Sequence, residues 1–316
     1  MMDSSRTHPL VSVIMAAHNV EKYIGEAIES IQAQTYPNWE LIITNDGSPD
    51  NTAEIIARYA AQDARITVIT HEKSQGQAIA RNHAVEKARG EYLAILDSDD
   101  VSLPERLQVQ VDFLEQHPGI AAVGSFVTMI DPEGKEIRKK TKPVPWLEIK
   151  FPLLLQTQFI HSTVTMRAEI FRTLGGYDTN YLHAEDYDLW SRMSDAGYQL
   201  ENIPQFLVKF RVQPQSVTSI PASQKVQELH SLQINARNIK PYVVLPEKDL
   251  YRLMKLVNHR TLPFRDIFAA LADYRKLVDA YCVKNTDPAE VAFVEITYQD
   301  KRRHTIRMKI KSLLGM

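Results

Sequence analysis

The chain has 316 residues, with 37 Lys and Arg against 39 Asp and Glu and a net charge of −2. It can bury a large core, and it carries no overall field that would favour nucleic acid as a partner. The single cysteine, Cys282, excludes an internal disulfide framework and reads as core packing, and no signal peptide or membrane span is expected, so the expected location is cytoplasmic.

"LVSVIMAA" (10–17), bounded by Pro9 and His18-Asn19, has the length and β-branched content of a strand buried on both faces. Ile24, Ala27, Ile28 and Ile31 then recur at helical spacing, and "ELIITND" (40–46) reads as a second buried strand. Ala53 to Tyr59 reads as helix, "RITVIT" (65–70) as strand, Gln77 to Arg89 as helix and "EYLAILD" (91–97) as strand. Strands alternating with helices in this way predict parallel βαβ units and an α/β, doubly wound, mostly parallel sheet flanked by helices.

In such sheets ligands bind beyond the carboxyl ends of the strands. Those ends carry His18-Asn19, Asn45-Asp46-Gly47-Ser48, His71-Glu72 and Asp97-Ser98-Asp99-Asp100. His71, Glu72 and His83 are read as surface groups. Carboxylates as close as those of "LDSDD" (96–100) need full solvation or a cation. One reading is a solvated helix start, with Ser102 and Glu105 as a capping box. The other sets Asp97 and Asp99, one residue apart, around a hard divalent cation such as Mn²⁺ or Mg²⁺ that also meets phosphate oxygens.

From about residue 221 glycine disappears until Gly315, and three amphipathic blocks punctuated by prolines predict an α-helical C-terminal region. The expected division is 1–220 for the nucleotide-binding and catalytic domain and 221–316 for the helical region. The tail "YQDKRRHTIRMKIKSLLGM" holds six Lys and Arg against one Asp, with Ile306, Ile310, Leu313 and Leu314 at helical spacing. Such a helix can lie on anionic lipid as a peripheral membrane contact, or pack on its own domain with a solvated basic face.

The stretches "VSVIMAAHN", "LIITNDGSPDNT", "QGQAIARNHAVEKARGEYLAILDSDD", "GGYD" and "EDYDLW" together resemble the family 2 glycosyltransferases of GT-A fold, in order and spacing, over roughly residues 10 to 215. The resemblance implies a nucleoside-diphosphate-sugar donor with UDP favoured, a metal on an Asp-x-Asp motif, and inverting transfer to a glycan or lipid-linked acceptor. It implies metal ligation by Asp99 with Asp97, and donor binding by Ala16, His18, Asn19, Asp46, Gly47, Arg81, Asp97 and Ser98. Asp46 would accept from the nucleotide base, and Arg81 would meet the diphosphate or the base.

By the same resemblance Asp186 is the general base with Glu185 as runner-up, and His161, Gly176 and Tyr177 line the acceptor pocket. Arg211 and Ser216 would belong to a closing loop. Two departures stand out: relatives often have proline and tyrosine at the positions of Ala16 and His18, and histidine at Gln213, a poorer metal ligand. The absence of a Gln-x-x-Arg-Trp string favours single-sugar transfer over processive synthesis. A homodimer is compatible with the sequence. The competing reading is a non-catalytic nucleotide-sugar-binding module in a glycan-assembly complex; a phosphatase of the haloacid-dehalogenase type lacks its threonine, Val101 standing in that place.

Overall fold

The computed structural model describes residues 8–213, 220–258 and 260–313. Its first half follows the predicted alternation: β1 (Val11–Ala17), α1 (Ile24–Gln32), β2 (Trp39–Asp46), α2 (Thr52–Gln62), β3 (Ile66–His71), α3 (Gln77–Lys87) and β4 (Tyr92–Ile95). Every residue of β2 and β4 is buried, which is why these strands read as unbroken apolar runs. β5 (Val101–Ser102), α4 (Arg106–Gln116), β6 (Ile120–Ile130) and β7 (Glu136–Lys140) follow. Then come α5 (Trp146–Leu153), a 3₁₀ turn at His161–Thr163, β8 (Thr165–Arg167), α6 (Ala168–Thr173), α7 (Glu185–Asp195) and β9 (Gln199–Arg211).

The sheet order is β3-β2-β1-β4-β8-β6-β9-β5, with β7 added on β6. β3, β2, β1 and β4 are mutually parallel, whereas β8 pairs antiparallel with both β4 and β6, and β6 runs parallel to β9. The sheet is therefore mixed, with a wholly parallel nucleotide-binding half. The chain steps outward from β1 to β3 and returns on the other side of β1 as β4. The loops after β1 and β4 thus diverge, and a crevice forms at the carboxyl ends between them.

Alternation along β1 splits the core into two layers. Val11, Val13 and Met15 pack with Ile24, Ile28 and Ile31 of α1 on one face, and Ile14 packs with Ala84 and Val85 of α3 and with Trp190 of α7 on the other. The capping box does not form. Ser102 lies in β5, its N–H donating to Ser30 Oγ and its hydroxyl accepting from Gln34 Nε2, while α4 starts four residues later without a side-chain cap.

The C-terminal region contains α8 (Pro221–Ile239), α9 (Glu247–Val257), α10 (Phe264–Lys284) and α11 (Pro288–Leu313). These share a third core with α5: Phe151 and Leu155 pack among Leu253, Tyr274 and Tyr281, with the Phe151 and Tyr281 rings 4.8 Å apart. Cys282 is a partly buried member of that layer. Among the described residues no helix is long and apolar enough to cross a membrane.

Candidate active site

The crevice floor is set by Asp46 at the end of β2. Its carboxylate accepts four hydrogen bonds: from His71 Nδ1 (2.7 Å), Ser74 Oγ (2.7 Å), and the N–H groups of Gln75 (2.8 Å) and Gly76 (2.9 Å). These bonds hold its carboxyl below the ordinary range even though burial pushes the other way. Asp46 therefore staples the loop between β3 and α3. Gly47 follows at φ 64°, and a Cβ there would lie 2.6 Å from the Lys73 and Ser74 backbone, so the close approach demanding glycine is that same loop.

His71 and His83 are not surface groups, contrary to the sequence reading: His71 is buried and its Nε2 lies 2.9 Å from His83 Nδ1, extending a chain Asp46, His71, His83. Glu72 is exposed as expected. On the facing side His18 Nδ1 sits 2.8 Å from the Asp46 carbonyl oxygen, and Asn19, at φ 55°, donates its N–H to Ser48 Oγ. His18 and Asn19 are exposed and Ala16 is partly so, which leaves this rim open to a ligand.

At the end of β4 the chain turns at once, with Asp100 N–H donating to the Asp97 carbonyl. Ser98 and Asp100 point inward and are buried, while Asp97 and Asp99 are partly exposed. Burial and the Asp97 charge push the Asp99 carboxyl up to about 6, and burial with the Asp99 and Asp97 carboxylates raises Asp100 well above the usual carboxylate range. Asp100 Oδ1 accepts from the Arg211 N–H (2.7 Å), but Oδ2 is buried without a hydrogen-bond partner.

The arginines around Asp97, Asp99 and Asp100 are Arg81, paired with Asp97, the buried Arg106, and Arg211. Arg211 is itself buried and donates to Asp99 O, Asp131 O, Pro132 O and Glu26, so it anchors the Asp99-Asp100 turn to β9; its closing-loop partner Ser216 lies outside the described residues. Gln213 Nε2 donates to Asp99 Oδ2 (2.5 Å), which sets this glutamine directly on the motif.

Arg81 and Asn82, adjacent on α3, tie the two halves of the site together. Arg81, 3% exposed, donates from Nη2 to Asp97 Oδ1 (2.8 Å) and from Nη1 to Glu185 Oε1 (3.0 Å). Burial opposes the guanidinium charge, but the two carboxylates override it and raise its pKa; Asp97 is correspondingly lowered, against burial, by Arg81 and His161. Asn82 donates to Tyr177 O (2.8 Å) and accepts from Tyr177 N (3.0 Å). Gly176, at φ 75°, faces Asn82 Oδ1 so closely that a Cβ would lie 2.8 Å from it. Tyr177 is buried, its hydroxyl 2.8 Å from His161 Nε2, and His161 Nδ1 is 3.6 Å from Asp97. His161 is thus a bridge between the Asp97 motif and the buried Tyr177.

Glu185 and Asp186 occupy the first turn of α7, whose Leu189, Trp190 and Met193 are fully buried as the helical spacing predicts. Glu185 is spent on Arg81. Asp186 is partly exposed, and burial together with Glu185 raises its carboxyl pKa against His161 and Arg81. Asp188, which sequence reasoning passed over, is fully buried between Arg192 (2.7 Å) and Arg237 of α8 (2.5 Å). The signal for it was a third acid in the "EDYD" string. The helical region therefore touches the site directly. Among the described residues no group of three His, Cys, Asp or Glu is arranged to hold a metal by protein ligands alone.

The family model for glycosyl transferase family 2 matches residues 12–175. Over 224 residues the chain is 32% identical to the O-antigen biosynthesis glycosyltransferase WbnJ of Escherichia coli, covering 67% of this chain and 84% of that protein. Two solved structures share the fold. TarS of S. aureus (residues 1-349), in complex with UDP-GlcNAc, has a TM-score of 0.60 at 17% identity, over 95% of this chain and 92% of that one. The mannosyltransferase PcManGT of Pyrobaculum calidifontis, in complex with GDP-Man and Mn²⁺, has a TM-score of 0.59 at 19% identity, over 97% and 88%. With a GT-A sheet, its motifs gathered on one rim and a family match over half its length, the chain belongs to the family 2 glycosyltransferases.

Proposed function

We propose that the protein moves one sugar from a nucleoside-diphosphate sugar to an acceptor hydroxyl with inversion, in the assembly of a bacterial surface polysaccharide or glycolipid. The observation that carries this reading is the Arg81 bridge, which sets the Asp97 motif and the Glu185-Asp186 motif against each other across one crevice. Inversion needs that arrangement: a base on one face of the sugar and a leaving diphosphate on the other.

A divalent cation fits the residues present. Asp99, raised by burial and the Asp97 charge, and Asp100, with a buried oxygen lacking a hydrogen-bond partner, are carboxylates that form no side-chain ion pair with an arginine among the described residues. Asp99 would be the principal ligand with Asp97 beside it, and phosphate oxygens would complete the set. When bound, the cation compensates charge developing on the diphosphate.

The remaining work falls to side chains. His18, Asn19 and Ala16 form the open rim on which the nucleotide rests, uridine being the base favoured by the resemblance, and Asp46 fixes the loop beneath it. Arg81 holds Asp97 and Glu185 in place. Asp186, whose raised pKa suits a base, takes the proton from the acceptor hydroxyl.

Asp99→Ala is expected to abolish donor turnover while the fold persists. Asp186→Asn is expected to keep donor binding and lose transfer by about 10²- to 10⁴-fold, the usual contribution of a general base. Thermal shift with UDP and GDP sugars, with and without Mn²⁺, reads donor binding by both variants. Unchanged transfer by Asp186→Asn would reassign the base.

A further inference from the structure

A cavity of about 600 Å³ lies where the loop before α7 meets α8 and α9, and Asp186 is in its wall. It is of a size that encloses a small ligand. The catalytic domain contributes Gln156, Thr157 and His183; the helical region contributes Gln227, Ser231 and Asn258. Amide and hydroxyl groups of this kind suit the many donors and acceptors of a sugar.

Its charges are unequal. The acids lining it are Asp186 and Glu228, and Glu228 is satisfied by Arg260, which donates from Nη1 to Oε1 at 2.6 Å. Lys225 and Lys255 also line it, and among the described residues neither forms an ion pair with a carboxylate; Lys255 lies over the Tyr251 ring at 4.4 Å. Lys142 stands behind the wall, donating to the Thr157 carbonyl (3.1 Å). The first turn of α8, which lines the cavity through Pro221 and Gln224, carries no acidic residue against its positive dipole end.

The cavity is also built onto the catalytic loop. His183, at φ 63°, holds a backbone conformation unfavourable for a residue other than glycine, and its carbonyl accepts from Gln227 Nε2 (2.8 Å). His230 Nδ1 lies 2.9 Å from the Leu182 carbonyl oxygen. A ligand in contact with α8 is therefore held beside the residue proposed to remove its proton.

We propose that this cavity is the acceptor site and that it selects a glycan carrying an anionic group, held by Lys225 and Lys255 with the acceptor hydroxyl toward Asp186. The proposal rests on the reading of Asp186 as the base. A phosphate or a carboxylate satisfies the same two ammonium groups, so a lipid-linked sugar phosphate and an acidic glycan are the two sources.

The test titrates methyl glucoside, methyl glucuronide and methyl glucoside 6-phosphate into the full chain by saturation-transfer NMR, with UDP and Mn²⁺ saturating the donor site. The wild type is expected to bind one or both anions more tightly than the neutral sugar, and the preferred anion identifies the source. Lys225→Gln with Lys255→Gln is expected to erase the preference, roughly tenfold for each lysine, while Lys225→Arg with Lys255→Arg retains it. UDP affinity, unchanged in all variants, reports folding. Retained UDP binding with no anion preference, or a preference that survives the glutamines, would overturn the acceptor inference alone. No UDP binding by the wild type would overturn the donor reading and this inference with it.

Discussion

Asp46 shows what a single carboxylate does in this site. Four donors from one loop converge on it, so Asp46→Asn, which keeps the shape but exchanges an acceptor for a donor, should destabilise the fold by about 1–3 kcal/mol. Because its folded pKa is lowered, the stabilisation is present above the ordinary aspartate value near 4 and is lost as pH falls through the folded value. Urea titration between pH 3 and 7 should show that acid-side loss in the wild type and less of it in the variant. Asp99 behaves in the opposite sense. Its carboxyl is raised to about 6, so its charge works against folding at neutral pH, and Asp99→Asn should stabilise the metal-free protein by about 1–2 kcal/mol after solvent screening. A denaturation midpoint lower than that of the wild type would contradict this. The His71 contact with Asp46 had no local signal, because a histidine after a strand looks the same whether its partner is water or a carboxylate 25 residues away.

Elements differ in how plainly the sequence announces them. The parallel strands β1, β2 and β4 are legible because each is buried on both faces and is followed by polar residues, and α7 is legible because Leu189, Trp190 and Met193 share a face. The strands of the mixed half, β6, β8 and β9, are not. Their pairing is long-range, and β9 passes from buried to half-exposed positions without strict alternation. The capping box at Ser102 failed for a tertiary reason, since Ser30 and Gln34 of α1 claim that serine. Most informative is α8, whose amphipathic pattern gave no hint that Arg237 reaches Asp188 behind the Glu185-Asp186 turn. Arg237→Ala should destabilise by about 1–3 kcal/mol, since it strips one partner from a buried carboxylate. It should also lower transfer more than donor binding; equal losses would mean that α8 is merely structural.

At the scale of the whole molecule, α5 of the sheet-bearing part and the C-terminal helices share a core, and Phe151 is its key. That side chain leaves the sheet-bearing part and packs between Tyr274 and Tyr281. Phe151→Ala should cost about 3–5 kcal/mol, as for other buried aromatic truncations, measurable as a lowered denaturation midpoint without a separate early transition. Across that joined architecture, the proposed transfer requires a cation and a diphosphate to meet at the carboxylates ending β4. Anomalous diffraction at the manganese edge, from crystals grown with Mn²⁺ and UDP, tests it directly. The expected result is an anomalous peak within coordination reach of an Asp99 oxygen, about 2–2.6 Å, with the nucleotide bound beside it at the His18 rim. Manganese and nucleotide found away from Asp97 and Asp99 would contradict it.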